Sequence, residues 1–219
     1  MKVCEIFKSI QGESSHAGLP CVFVRLTGCN LRCRYCDTTY AYDEGDEMTL
    51  DEIIVKVKGF GGRLVEVTGG EPLMQHEGAL ELVDRLVYEG MRVLVETNGS
   101  LDIAWLHKSA VIIMDLKTPS SGVSDRMRFS NIECLKPFDE VKFVIADRAD
   151  YEWSKKTVER YFLTERCGVL FSPVNIDAGG RTPGALALDV LAKWMILDNL
   201  DVRLNIQLHK YIFGDRRGV

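Results

Sequence analysis

Val22-Phe-Val-Arg-Leu-Thr-Gly-Cys-Asn-Leu-Arg-Cys-Arg-Tyr-Cys-Asp-Thr38 begins as an apolar, β-branched run and ends in three cysteines spaced C-x3-C-x2-C. The first part reads as a strand that stops at Gly28, with Cys29, Cys33 and Cys36 in the loop beyond it. A cubane iron–sulfur cluster takes one thiolate per iron, so three thiolates leave one iron open to an outside ligand. Structural zinc takes four protein ligands, usually as two close pairs. Here one C-x2-C pair has a single extra cysteine, and the nearest spare ligands are His16 and Cys21. The ligand count therefore favours a catalytic [4Fe-4S] cluster over zinc.

Working outward, further short apolar runs mark strands at residues 3–10, 64–68, 93–96, 111–115, 141–145, 169–172 and 205–208, alongside the one at 22–26. Helical patterns lie between several of them. Thr49-Leu-Asp-Glu52 reads as a capping box opening a helix through Ile53, Ile54 and Val57 toward Gly59. Leu80, Val83, Leu86 and Val87 recur at helical spacing and stop before Gly90. Two more helical stretches cover residues 150–162 and 185–197. Gly59-Phe-Gly-Gly62 is a turn, too short to separate domains, so residues 1–219 form one domain.

Strand–helix alternation predicts parallel strands with helical crossovers. After the strands come Thr68-Gly-Gly-Glu-Pro72, Glu96-Thr-Asn-Gly99, Asp115-Leu-Lys-Thr-Pro-Ser-Ser121, Ser172-Pro-Val-Asn175 and Gln207-Leu-His-Lys210. A parallel barrel brings such turns to one face, where active sites gather. A complete eight-unit barrel takes about 250 residues, so this chain predicts an α/β fold with an incomplete, TIM-like barrel and the cluster loop at the carboxyl-end face. A doubly wound open sheet is the alternative fold.

The composition, 46% hydrophobic and 27% charged, suits one ordinary core. A net charge of −5 argues against a protein that coats nucleic acid. The opening residues mix Lys2, Glu5 and Lys8 with apolar side chains and do not resemble a signal peptide. No apolar run approaches the roughly 20 residues of a membrane span. Seven cysteines, three of them in one short loop, do not make a secreted disulfide framework. Cys4, Cys21, Cys134 and Cys167 lie among apolar residues and are expected as buried thiols in a reducing cytoplasm.

An open iron can take the amino and carboxylate groups of S-adenosylmethionine, and reductive cleavage of that cofactor yields a hydrogen-abstracting radical. Gly69 and Gly70 would let the backbone approach the amino acid end closely. The cysteine loop with Gly69-Gly-Glu-Pro72 resembles the radical S-adenosylmethionine superfamily. Glu5-Ile-Phe-Lys-Ser-Ile-Gln-Gly-Glu13, Gly18-Leu-Pro20, Phe23 through Cys33, Cys36-Asp-Thr38, Glu96-Thr-Asn-Gly99, Asp115-Leu-Lys117 and Gln207-Leu-His-Lys210 resemble its 7-carboxy-7-deazaguanine synthase family over nearly the whole chain.

That resemblance implies a (β6/α3) barrel and a lyase that converts 6-carboxy-5,6,7,8-tetrahydropterin to 7-carboxy-7-deazaguanine. Hydrogen abstraction at C6, ring contraction and loss of ammonia would feed queuosine or archaeosine biosynthesis, with S-adenosylmethionine regenerated. It also implies Mg2+, a homodimer, and a reductant such as flavodoxin or ferredoxin. Substrate contacts carried over are Ile10, Gln11, Gly12, Glu13, Arg25, Thr68, His209 and Val219, with Thr38 at the magnesium. Tyr35, Cys36, Asp37, Gly70, Glu71, Asn98, Asp115, Lys117, Ser121 and Gln207 would hold S-adenosylmethionine. No side chain is assigned the bond-breaking step, which belongs to the cofactor.

One departure stands out. The family's Gln-Gly-Glu-Gly is here Gln11-Gly-Glu-Ser14, so a position needing positive φ would be strained. Rival readings are an activating enzyme for a glycyl-radical partner, which shares the cysteine spacing but does not need Ser9-Ile-Gln-Gly-Glu13, and a non-catalytic iron–sulfur carrier, which would supply a fourth cysteine.

Overall fold

The computed structural model describes residues 1–174 and 186–219. Among the described residues nine strands form one sheet in the order β3-β1-β2-β4-β5-β6-β7-β8-β9. They are β1 Lys2–Ile10, β2 Pro20–Leu26, β3 Asp46–Glu47, β4 Leu64–Gly69, β5 Arg92–Thr97, β6 Val111–Asp115, β7 Glu140–Ile145, β8 Gly168–Pro173 and β9 Arg203–Leu204. From β2 to β9 every pairing is parallel, while β1 runs antiparallel to β2 and to β3. β3 and β9 end the sheet, so the barrel is unclosed.

The helices are α1 Leu50–Gly59, α2 His76–Tyr88, α3 Arg148–Tyr161, α4 Leu163–Arg166, α5 Leu188–Leu197 and α6 Leu208–Phe213. Among the six principal parallel strands β2, β4, β5, β6, β7 and β8, the long crossover helices are α1, α2 and α3, which is the (β6/α3) pattern. The capping box forms as the sequence predicts: Thr49 Oγ1 accepts from the Glu52 amide and the Glu52 carboxylate accepts from the Thr49 amide. α2 ends two residues before Gly90, which takes φ 76° as a helix stop requires. Its Leu82, Val83 and Leu86 are wholly buried, and each contributes about 1.5–3 kcal/mol by leaving water.

Three expectations are corrected. Residues 205–208 do not form a strand. The last strand is only Arg203–Leu204, and Gln207 instead leads into α6. Ile206 and Leu208 alternate over too few residues to separate period two from period 3.6. The fourth helical stretch begins at Leu188, and residue 185, like Asn175 of the β8 turn, lies outside the described residues. Of the four cysteines expected to be buried, Cys21 and Cys167 are, Cys4 is half-buried, and Cys134 is exposed at the end of a short 3-10 segment.

Inside the barrel two layers stack. Phe7, Cys21, Phe23, Leu64, Leu94, Val111 and Ile113 form an apolar plug at the amino-end of the strands, with Phe7 and Phe23 stacked at 5.0 Å. The layer above is polar. Between β1 and β2, residues 11–19 fold under it, and Ser14 takes φ 62° where the family pattern has glycine. Its hydroxyl accepts from the His16 amide at 3.1 Å, a local bond that offsets the cost of that conformation.

Candidate active site

One cavity of about 730 Å³ opens at the carboxyl ends of the strands, where parallel βα units collect their loops. The cysteine loop forms part of its wall. Gly28 donates to the Ala41 carbonyl at 2.8 Å, Glu71 donates to the Gly28 carbonyl at 2.8 Å, and Arg34 donates to the Ser121 carbonyl at 3.0 Å. These bonds tie the loop to the ends of β2, β4 and β6. Cys29, Cys33 and Cys36 are half-buried free thiols that all line the cavity.

The donor set fits a [4Fe-4S] cluster. Three soft thiolates share one wall, while among the described residues no three His, Cys, Asp or Glu side chains close around a single ion. A cubane spreads its thiolates over separate irons, whereas one zinc ion would draw them together. Gly70 lies against the loop. A Cβ there would overlap the Gly28 carbonyl oxygen and meet the Cys29 Cβ at 2.7 Å. Gly70→Ala is therefore expected to displace the loop and weaken S-adenosylmethionine binding at least about tenfold, read by titration of the reconstituted protein.

The polar layer follows from strand register. Arg25 faces Thr68 across β2 and β4, and Asp115 faces Lys142 across β6 and β7. Thr68 Oγ1 donates to Glu96 at 3.1 Å. Lys142, buried between Val141 and Phe143 of β7, reaches Glu13 at 2.7 Å, Glu96 at 2.6 Å and Asp115 at 3.6 Å. Burial alone would lower the Lys142 ammonium, but these three carboxylates hold it well above the ordinary lysine range. Burial would likewise raise Glu96, and Lys142 overrides it, keeping the carboxyl down at about 2.

Nearer the mouth, Lys117 pairs with Asp115 at 2.8 Å and Lys210 with Asp37 at 2.7 Å. Lys210 overcomes the effect of burial and depresses the Asp37 carboxyl strongly. Arg25 donates to Glu5 at 2.8 Å and to the Gly69 carbonyl at 3.2 Å, and the rest of its planar fork remains available to a carboxylate. The His209 ring lies over Gly12, where any Cβ would overlap it. Burial lowers its pKa, so the imidazole stays neutral.

Nearly all residues expected at the site line this cavity, from Ile10 through Glu13 at one side to Gln207, His209 and Val219 at the other. Glu71 and Ser121 do not. The Glu71 carboxylate is fully buried and accepts from Leu73, Asn98 and Thr97, so it braces the Gly-Gly turn from behind. Ser121 is equally buried, its hydroxyl donating to the Thr118 carbonyl at 2.6 Å. Both residues support the cavity wall without facing it. Conversely, Glu66, Glu96, Lys142 and Lys210 line the cavity and were absent from the expected set. For Glu66, Glu96 and Lys142 a signal was present, a charge set among the apolar residues of a strand, whereas Lys210 stands on α6.

Residues 23–162 match the Radical SAM superfamily. The chain is 44% identical to the 7-carboxy-7-deazaguanine synthase of Koribacter versatilis, covering 97% of each sequence. It is also 44% identical to that of Chlorobaculum tepidum, covering 100% of this chain and 97% of the relative. The chain belongs to the 7-carboxy-7-deazaguanine synthase family. The crystal structure of QueE from Escherichia coli superposes with a TM-score of 0.76 over 95% of this chain and 94% of that one, at 21% identity, which shows the shared fold. Membership of the 7-carboxy-7-deazaguanine synthase family makes the chain a radical S-adenosylmethionine lyase of 7-deazapurine biosynthesis, with a [4Fe-4S] cluster and S-adenosylmethionine as cofactors. No helix among the described residues is long and apolar enough to cross a membrane.

Proposed function

We propose that this chain, as a single domain over residues 1–219, converts 6-carboxy-5,6,7,8-tetrahydropterin to 7-carboxy-7-deazaguanine with loss of ammonia. The observation that carries this reading is one cavity in which the three-cysteine wall adjoins a layer of half-buried Glu13 and Glu96 around the buried Lys142. When bound, the cluster and S-adenosylmethionine supply a radical able to remove hydrogen from carbon.

The protein's own groups then have separable tasks. Cys29, Cys33 and Cys36 hold the cluster, and Tyr35, Asp37, Gly70, Asn98, Asp115, Lys117 and Gln207 surround S-adenosylmethionine. Ile10 to Glu13, Thr68 and the neutral His209 receive the pterin, whose ring edge alternates donors and acceptors. The Arg25 fork takes the substrate carboxylate. Arg217 bridges Glu5 and Glu44 and stacks 3.8 Å from the Tyr40 ring centre, anchoring the segment that brings Val219 to the mouth. These contacts restrict water and fix the reacting carbon relative to the radical source.

Thr38 is the protein's contribution to a Mg2+ ion completed by substrate oxygens and water. It occupies the N-cap position of a 3-10 turn without making a capping bond, and its hydroxyl turns to Asp37 at 2.9 Å. We place the enzyme as a cytoplasmic homodimer reduced by flavodoxin or ferredoxin. The test is anaerobic incubation of reconstituted protein with dithionite, S-adenosylmethionine, Mg2+ and the carboxypterin; absence of 7-carboxy-7-deazaguanine overturns the proposal. Thr38→Ala is expected to abolish the stimulation by Mg2+ while leaving cluster content intact. A metal response equal to that of the unaltered protein refutes the Thr38 assignment.

A further inference from the structure

We infer that Glu66 is a positioning residue, fixing through Gln11 the segment 11–13 on which the substrate's ring edge rests. This rests on the substrate reading above and adds to it a group beneath the contacts already named. Glu66 sits on β4 at the boundary between the apolar plug and the polar layer, with Phe23 and Leu94 as its register neighbours. It is 2% exposed, and a carboxyl group in such surroundings carries a large desolvation cost unless it serves a polar partner.

That partner is Gln11. Among the described residues, the one side-chain hydrogen bond to Glu66 comes from Gln11 Nε2 at 2.6 Å. The other end of the same amide, Oε1, accepts from the Glu13 backbone N–H. The main chain of Gln11 completes the loop, donating to the Leu19 carbonyl and accepting from the Gly18 amide, each at 2.8 Å. Gln11 is thus consumed in shaping the loop, and the groups left for a ligand are the backbone of residues 11–13 and the Glu13 carboxylate. Glu66 sets which way the Gln11 amide points, and with it where Glu13 stands relative to Lys142 and Gln207.

The electrostatics agree. Burial, reinforced by Glu96 on β5 and Glu13 on the loop and opposed by the Gln11 bond and Lys142 on β7, pushes the Glu66 carboxyl up to about 8. Cys21 on β2 also faces it, and burial raises that thiol far above its usual range, so it stays neutral. At pH 7 Glu66 is therefore a neutral acid, and the charge of Lys142 is left to Glu13, Glu96 and Asp115. Above pH 8 it ionises, adding negative charge that competes for Lys142 and repels an anionic substrate.

The test compares Glu66→Val and Glu66→Gln in the reconstituted enzyme, with KM for the carboxypterin measured from pH 7 to 9.5. Glu66→Val leaves the Gln11 amide unpaired and should raise KM at least about tenfold, whereas Glu66→Gln, which keeps a neutral acceptor, should raise it no more than about threefold. The rise in KM above pH 8 should be present in the unaltered enzyme and missing from Glu66→Gln. Hydrogen exchange of the substrate-free protein gives a second reading: the Glu13 and Gly18 amides should exchange at least about tenfold faster in Glu66→Val than in Glu66→Gln. Equal KM and equal exchange in the two variants, or an unaltered alkaline rise in Glu66→Gln, overturns the inference. If the unaltered enzyme forms no 7-carboxy-7-deazaguanine, the substrate reading fails, and the exchange comparison still decides whether Glu66 holds the loop.

Discussion

Lys142→Met should unfold at markedly lower denaturant and turn over at least about a hundredfold more slowly, losing about 3–5 kcal/mol of stability. The side chain is 5% exposed and stands between Glu13, Glu96 and Asp115. Methionine fills much of the same volume, so the loss measured is that of the charge and its hydrogen bonds rather than of packing. What remains is a cluster of carboxylates inside the barrel with no central cation, and they must either take up protons or draw in water. Both responses displace Glu13 and Glu96 from the positions they hold around Lys142. Adding Glu96→Gln to Lys142→Met should recover part of the lost stability, because it removes one of the stranded charges. Urea denaturation of the cluster-free protein measures the first effect and anaerobic turnover the second. A Lys142→Met protein within 1 kcal/mol of the unaltered chain, on the scale where 3–5 is expected, shows that this cation does not hold the layer together.

Cys33→Ala should bring product formation below detection, and reconstituted protein should lose the bulk of its iron and sulfide. An iron without its thiolate is no longer retained in a cubane, and the remaining two cysteines suffice only for smaller or unstable assemblies. The fold should persist, since Cys33 is half-buried in a loop outside the strands and the core beneath is complete without it. Far-ultraviolet circular dichroism and the thermal midpoint of the cluster-free form should therefore match the unaltered protein. Cys134→Ser is the control: that thiol is exposed and does not line the cavity, so cluster content should be retained. Iron content near the unaltered level in Cys33→Ala means that another ligand takes its place.

The strands were legible where Val and Ile cluster between turn residues, because buried parallel strands are covered on both faces and read as continuous apolar runs. The helices were legible through end signals such as Thr49 with Glu52 and the stop at Gly90. What local pattern misread was the last segment, where two apolar residues among polar ones are equally at home in a strand or a helical turn. The site was legible where its chemistry is carried by residue type and spacing, as with the three cysteines and Gly69-Gly70.

Glu71 and Ser121 show the complement of that success. A turn that touches a ligand also needs residues holding it from behind, and spacing does not say which face a side chain takes. The charged layer escaped for a different reason. Glu66, Glu96 and Lys142 lie in three separate strands, and only the parallel register turns them to one face of the sheet. Counting parity from Arg25 and Thr68 would have put them together, since neighbouring register positions share a face.

The stacked Phe7 and Phe23 rings and their aliphatic neighbours stopper the barrel from below. The cavity is thus floored at the amino-end of the strands, while the cysteine loop forms part of its wall at the carboxyl-end. A ligand that reaches this floor meets aromatic and aliphatic surface on that side instead of bulk water.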